Sequence, residues 1–146
     1  MNEVEMRSRR EIFFETYRNV VGIEARTMLE MALRDYIPAV TKYIKDLSDT
    51  LIAKREALRG VDTSVEESLI GKLSDLLSKA YNATLALEKA ESAARAKEND
   101  EQRAISYKDV VLPKMEALRR AVDSMEVLTA REYWPVPTYG ELTYRV

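Results

Sequence analysis

The chain has 146 residues, 46% of them hydrophobic, and 23 Lys and Arg against 25 Asp and Glu leave a formal charge of −2. That length fits one domain with a sizeable core, and the balance supplies no overall positive field to draw the protein onto nucleic acid or anionic lipid. Cysteine and histidine are both absent, which excludes disulfides, thiolate nucleophiles, zinc-thiolate sites, a histidine general base and any imidazole metal ligand.

Gly22, Gly60, Gly71 and Gly140 are the only glycines, and no Asn-Gly or Asp-Gly hairpin signal occurs. The pattern therefore predicts an all-α chain: an antiparallel bundle of three long helices plus a shorter N-terminal helix, with an extended aromatic and proline-rich C-terminal tail. The N-terminal helix is predicted over about 7–20, with Ile12, Phe13, Tyr17 and Val20 or Val21 on one side and Gly22 closing it. A second helix is predicted over 23–59. Its apolar stripe runs through Met28, Leu33, Ile37, Val40, Ile44, Leu47, Leu51 and Leu58, and Gly60 supplies the C-cap.

The third helix, predicted over 63–97, has the clearest start, because Asp62, Thr63 or Ser64 can cap it and Glu66 or Glu67 stands where a capping box needs a carboxylate. Leu69, Leu73, Leu76, Ala80, Ala83, Leu87, Ala90 and Ala94 form a heptad seam that shifts from leucine to alanine. A polar turn around Lys97-Glu98-Asn99-Asp100 leads into a fourth helix over 100–130, marked by Ile105, Val111, Met115, Leu118, Val122 and Met125. Short connections make neighbouring helices antiparallel. Pro38 and Pro113 fall inside the second and fourth helices. Each removes a backbone donor, frees a carbonyl one turn back on Arg34 or Asp109, and is expected to kink its helix.

The tail over 131–146 is a different kind of sequence, holding the only tryptophan and two of the four prolines. Tyr133, Trp134, Pro135, Pro137 and Tyr139 are its expected interaction and packing residues. The Trp134 ring is expected to lie buried against helix ends, with the two prolines holding the tail extended.

Chemistry-bearing constellations are sparse. Glu24 with Glu30, or Glu88 with Glu91, would suit a di-iron bundle only with Glu-x-x-His partners, and there is no histidine. Arg7, Arg9 and Arg10 beside Phe13, Phe14 and Tyr17 look like a stacking nucleic-acid surface, but Glu5, Glu11 and Glu15 interrupt them, as on a solvated, salt-bridged helix face. Tyr36 and Tyr43, seven apart, share a helix face at the core edge. A glycine-rich phosphate loop is missing. No catalytic, cofactor-binding or metal residue is assigned. No apolar run reaches the roughly 18–20 residues of a membrane span and no signal peptide is evident, so a soluble, cytoplasmic protein without nucleic-acid or membrane partners is expected.

Four stretches read together: Ile23-Glu24-Ala25-Arg26-Thr27-Met28, Pro38-Ala39-Val40-Thr41-Lys42-Tyr43, Tyr107-Lys108-Asp109-Val110-Val111-Leu112-Pro113-Lys114-Met115, and Glu132-Tyr133-Trp134-Pro135-Val136-Pro137-Thr138-Tyr139-Gly140. In this order they resemble the C-terminal region of type III glutamine synthetase, over nearly the whole chain. The resemblance implies a helical extension following a catalytic domain, in an enzyme that ligates ammonia to glutamate with ATP and magnesium and assembles as a large ring-shaped oligomer. It implies as partners the catalytic domain of the same polypeptide and other subunits of a homo-oligomer. None of the family's catalytic residues carries over, so the chain alone is expected to be inactive. The competing reading is a free-standing helical adaptor or protein-interaction module.

Overall fold

The computed structural model describes residues 2–135, and among them every regular element is helical and no strand occurs. Helix α1 (Glu3–Met31) passes through a π-helical turn, Ala32–Tyr36, into α2 (Ile37–Ala57). Helix α3 (Ser64–Arg95) follows, then α4 (Asp100–Ser106), which passes through a second π turn, Tyr107–Val111, into α5 (Leu112–Leu128). A 3-10 turn, Arg131–Tyr133, completes the described elements. None of the described helices is long and apolar enough to cross a membrane.

The shorter, separate N-terminal helix predicted from the sequence does not exist. Gly22 lies buried inside α1 rather than ending it. A glycine stops a helix by taking a left-handed φ, and among the described residues only Gly60 does so, at φ 77°. There α2 ends as expected: the Leu58 N–H donates to the Lys54 carbonyl at 3.0 Å and the Val61 N–H to Leu58 at 3.3 Å, leaving Gly60 to reverse the chain. The next helix starts on its polar residues. Asp62 Oδ1 accepts the Ser64 N–H at 2.9 Å and the Thr63 hydroxyl reaches Glu67 Oε2 at 3.3 Å. Asn99 caps α4 by accepting the Gln102 N–H at 2.8 Å, and Asp100 and Glu101 in the first turn suit the helix dipole.

Both π turns end two residues ahead of a proline, Pro38 in α2 and Pro113 in α5. A proline offers no N–H to the carbonyl four residues back. In the turn ahead of Pro113 the pairing runs to the donor five residues on, the Leu112 N–H donating to the Tyr107 carbonyl. The tail departs from its expected extended form at its start: the Tyr133 N–H bonds the Ala130 carbonyl at 3.0 Å and the Trp134 N–H bonds Arg131 at 3.1 Å, closing the 3-10 turn. Arg131–Tyr133 are thus turned rather than extended.

Contacts divide the chain into two compact units, residues up to Met31 with Asn82–Arg120, and Ala32–Tyr81 with residues from Ala121 on. In the first, Val21, Ala25, Leu87, Ala90, Ala94, Ala104, Tyr107, Val111, Met115 and Leu118 are buried. In the second, the buried set includes Val40, Leu73, Ala80, Ala121, Met125 and Trp134. The seam of α3 follows the predicted phase throughout. The stripe of the first helix does not: Ile12, Phe13 and Val20 are exposed, while Val21 and Ala25 are inside. Leu58 and Ile105 are likewise exposed, Leu58 because α2 ends before it and Ile105 because Ala104 and Tyr107 take the inward positions.

Leu73 is fully buried whereas Leu47 is half-buried. Leu73→Ala is therefore expected to destabilise the fold by about 2–5 kcal/mol, Leu47→Ala by about half as much, and exposed Lys97→Ala by under about 0.5 kcal/mol. Urea melts with equal midpoints for Leu73→Ala and Lys97→Ala would show that α3 is packed on a different face.

Candidate functional site

In the first unit the sequence gathers a polar cluster around a buried carboxylate. Glu91 of α3 is 3% exposed. It occupies the inward phase of the column Ala80, Thr84, Leu87, Glu91, Ala94, where spacings of 4 and 3 keep one face inside. Arg26 of α1 donates from Nη1 to Glu91 Oε1 at 2.8 Å, the Tyr107 hydroxyl donates to the same oxygen at 3.1 Å, and Arg95 Nη2 lies 3.6 Å from Oε2. Tyr107 begins the second π turn and is itself buried. Gly22 makes the arrangement fit, since a Cβ at that position would stand 3.2 Å from the Tyr107 hydroxyl and 3.3 Å from Arg26 Nη1. Burial pushes the Tyr107 phenol up from its ordinary value, and the Glu91 charge and hydrogen bond push it further.

The same unit pairs most of the arginines at its N-terminal end. Arg10 donates to Glu101 at 2.8 Å and lies over the Phe14 ring at 5.6 Å, Arg7 faces Glu3 at 3.9 Å, and Arg18 bonds Asp100. The Arg18 guanidinium holds the Asp100 carboxyl below its ordinary value, with Arg103 adding to the effect. Arg7, Arg10 and Arg18 thus face carboxylates rather than forming the continuous positive stripe that tracks a phosphate backbone.

In the second unit the tail residues form an aromatic anchor. The 3-10 turn brings Trp134 against Tyr36, with ring centroids 5.1 Å apart and planes at 34°, and Tyr133 against Tyr43 at 5.2 Å and 42°. Trp134 is 8% exposed, and its Nε1–H has no hydrogen-bond partner among the described residues. The Tyr133 hydroxyl donates to Asp46 Oδ2 at 2.8 Å, which pushes that phenol up. Burial raises Tyr36 as well, helped by the charges of Glu126, Asp35 and Asp123. An open groove of about 480 Å³ lies beside the anchor, lined by Asp123, Glu126, Val127, Thr129, Arg131 and Trp134.

Of the residues singled out from the sequence, Tyr133 and Trp134 meet in this anchor and Pro135 follows them exposed, while Pro137 and Tyr139 lie outside the described residues. Pro38 and Pro113 each stand behind a π turn. Gly22, Arg26, Glu91, Tyr107 and Asp46 were not singled out as a site. Phase was the available signal for Glu91, a carboxylate in an otherwise apolar column. No group of three or more Asp or Glu among the described residues is arranged to hold a metal ion.

Gly22→Leu is expected to break the Glu91 cluster and destabilise the protein by about 2 kcal/mol or more. Gly22→Ala is expected to stay within about 1 kcal/mol of the parent, because the helix-propensity gain of similar size offsets the tight contact. Denaturant melts in which both variants match the parent would refute the close approach. A second expectation concerns alkaline pH. The folded-state values of Tyr36, Tyr107 and Tyr133 are raised above the ordinary value of 10.0, so the stability they contribute is present below pH 10 and is lost as pH rises through the folded values. Melts between pH 9 and 12 should fall less steeply for Tyr107→Phe than for the parent; parallel curves would contradict the assignment.

Residues 1–55 match the family described as the glutamine synthetase C-terminal domain. Along 147 residues the chain is 33% identical to a glutamine synthetase of Butyrivibrio fibrisolvens, covering 96% of this chain and 20% of that protein. It is 29% identical to a glutamine synthetase of Bacteroides fragilis, covering 98% and 20%. It is 24% identical to the type-3 glutamine synthetase of Dictyostelium discoideum over 151 residues, covering 99% and 20%. The chain thus spans about a fifth of the length of these relatives. Nearly the whole chain is thus similar to a fifth of each of these glutamine synthetases, one of them a type-3 enzyme, and its first 55 residues match the family's C-terminal domain.

Proposed function

We propose that the chain is a non-catalytic structural domain of a glutamine synthetase, cytoplasmic, which docks on the catalytic domain of its own polypeptide and supports a homo-oligomer. The observation that carries this reading is the coverage: nearly all of this chain aligns with only a fifth of each relative. Ligation of ammonia to glutamate, with ATP and magnesium, belongs on this reading to the remaining four-fifths. We read the helices as an antiparallel bundle and the aromatic tail as its packing and interaction segment. The residues fit a structural role. The chain has no histidine, and its best-positioned buried carboxylate, Glu91, is engaged by Arg26, Arg95 and Tyr107 rather than directed at a substrate.

Incubated with glutamate, ATP, magnesium and ammonium, the 146-residue chain is expected to form no glutamine above a no-protein control, whereas the complete polypeptide of its reading frame is expected to form it. Glutamine made by the 146-residue chain would overturn the non-catalytic assignment.

A further inference from the structure

Helix α1 is apolar on two sides, and only one of them is used. Val21 and Ala25 are buried, while Ile12, Phe13, Val20 and Ile23 are 60%, 61%, 49% and 58% exposed. At about 100° per residue these four fall within an arc of about 100°, centred about 150° away from the buried pair. Six of the fifteen large apolar side chains exposed among the described residues, Val4 and Met6 with these four, lie within residues 4–23. That concentration is not the scatter of single apolar residues normal on a surface.

We propose that this outer face of α1, carried by Ile12, Phe13, Val20 and Ile23, is the docking surface for the part of the same polypeptide that precedes residue 1. The inference rests on the reading of the chain as a C-terminal domain. The relatives carry about four-fifths of their length outside the matched region, and for a C-terminal domain that remainder joins at the α1 end. A surface tethered there meets α1 at the millimolar effective concentration that a short linker supplies. Extent also favours a tethered occupant. The strip from Ile12 to Ile23 is about 17 Å long, and four side chains fall short of the roughly 800 Å² per partner that stable interfaces between free chains bury. A second copy of the chain would have to hold on that strip alone.

The absence of cysteine makes the test direct. Ile12→Cys and Ile23→Cys, with exposed Lys97→Cys as the reference, are made in the 146-residue chain and in the complete polypeptide of its reading frame. Each is treated with N-ethylmaleimide, and labelling is followed by mass spectrometry of the peptide that carries the position. Labelling at positions 12 and 23 is expected to be at least about tenfold slower in the complete polypeptide, the protection given by a docked state favoured ten to one, with position 97 unchanged. Equal rates at 12 and 23 in the two preparations would overturn the proposal. So would slow labelling in the 146-residue chain that accelerates on dilution, since that assigns the face to a second copy. Glutamine formation by the same complete polypeptide separates the two readings: activity with unprotected thiols rejects the docking face alone, and inactivity rejects the enzyme reading while the labelling ratio still reports on docking.

Discussion

A carboxylate withdrawn from water is the most demanding element of the first unit. Moving such an ion from water into a protein interior costs several kcal/mol unless its oxygens are matched. Glu91 meets that demand with Arg26 and Tyr107 on one oxygen and Arg95 near the other. The two arginines are themselves about half exposed, so the pair keeps its cationic side in water and only the anion is desolvated. The requirement fixes relations between elements far apart in sequence. Arg26 must come from α1, Tyr107 from the turn after α4, and Gly22 leaves room for both, since even a Cβ there would stand only 3.2 and 3.3 Å from them. A helix-on-helix contact made only of alanine and valine would tolerate sliding by a turn; this one does not, because a slip leaves a buried charge unmatched.

The second unit is held differently. Its anchor is aromatic, with Tyr36 under Trp134 and Tyr43 under Tyr133, and one hydrogen bond from Tyr133 to Asp46. Paired rings contribute through area and offset geometry, roughly 0.5–1.5 kcal/mol per pair beyond burial. Against this stands the indole N–H of Trp134, buried without a partner among the described residues at a cost of about 1–3 kcal/mol. The hydrophobic area of the ring outweighs that cost.

Much of this architecture is legible in the sequence. The α3 seam, the Gly60 reversal, the polar starts of α3 and α4 and the all-helical class follow from periodicity and capping, which are local. What was not legible is where tertiary packing decides. Gly22 reads locally as a stop, yet it serves as a hollow for Tyr107, which approaches from eighty-odd residues away. Ile12 and Phe13 read as core because periodicity reports amphipathicity without saying which of two apolar sides is inward. Glu91 and Thr84 do not stand out in the seam, which is recognised by its apolar members, although both carry the inward phase. The prolines read locally as lost donors in the backbone; the widened turn ahead of each is not written in the local sequence.

Those widened turns have a consequence for how such a chain tolerates changes of length. A single residue inserted in an ordinary α-helix rotates everything downstream by about 100° and would carry an inward side chain toward solvent. A π turn already contains one residue more than the α turn it replaces, and absorbs it locally. At Ala32–Tyr36 and Tyr107–Val111 the helices can therefore exchange one residue of length for a change in turn width, while the columns on either side stay in phase. Related chains that differ by a single residue should carry that difference at these two turns, with Ala25 and Val40 still buried on either side of the first.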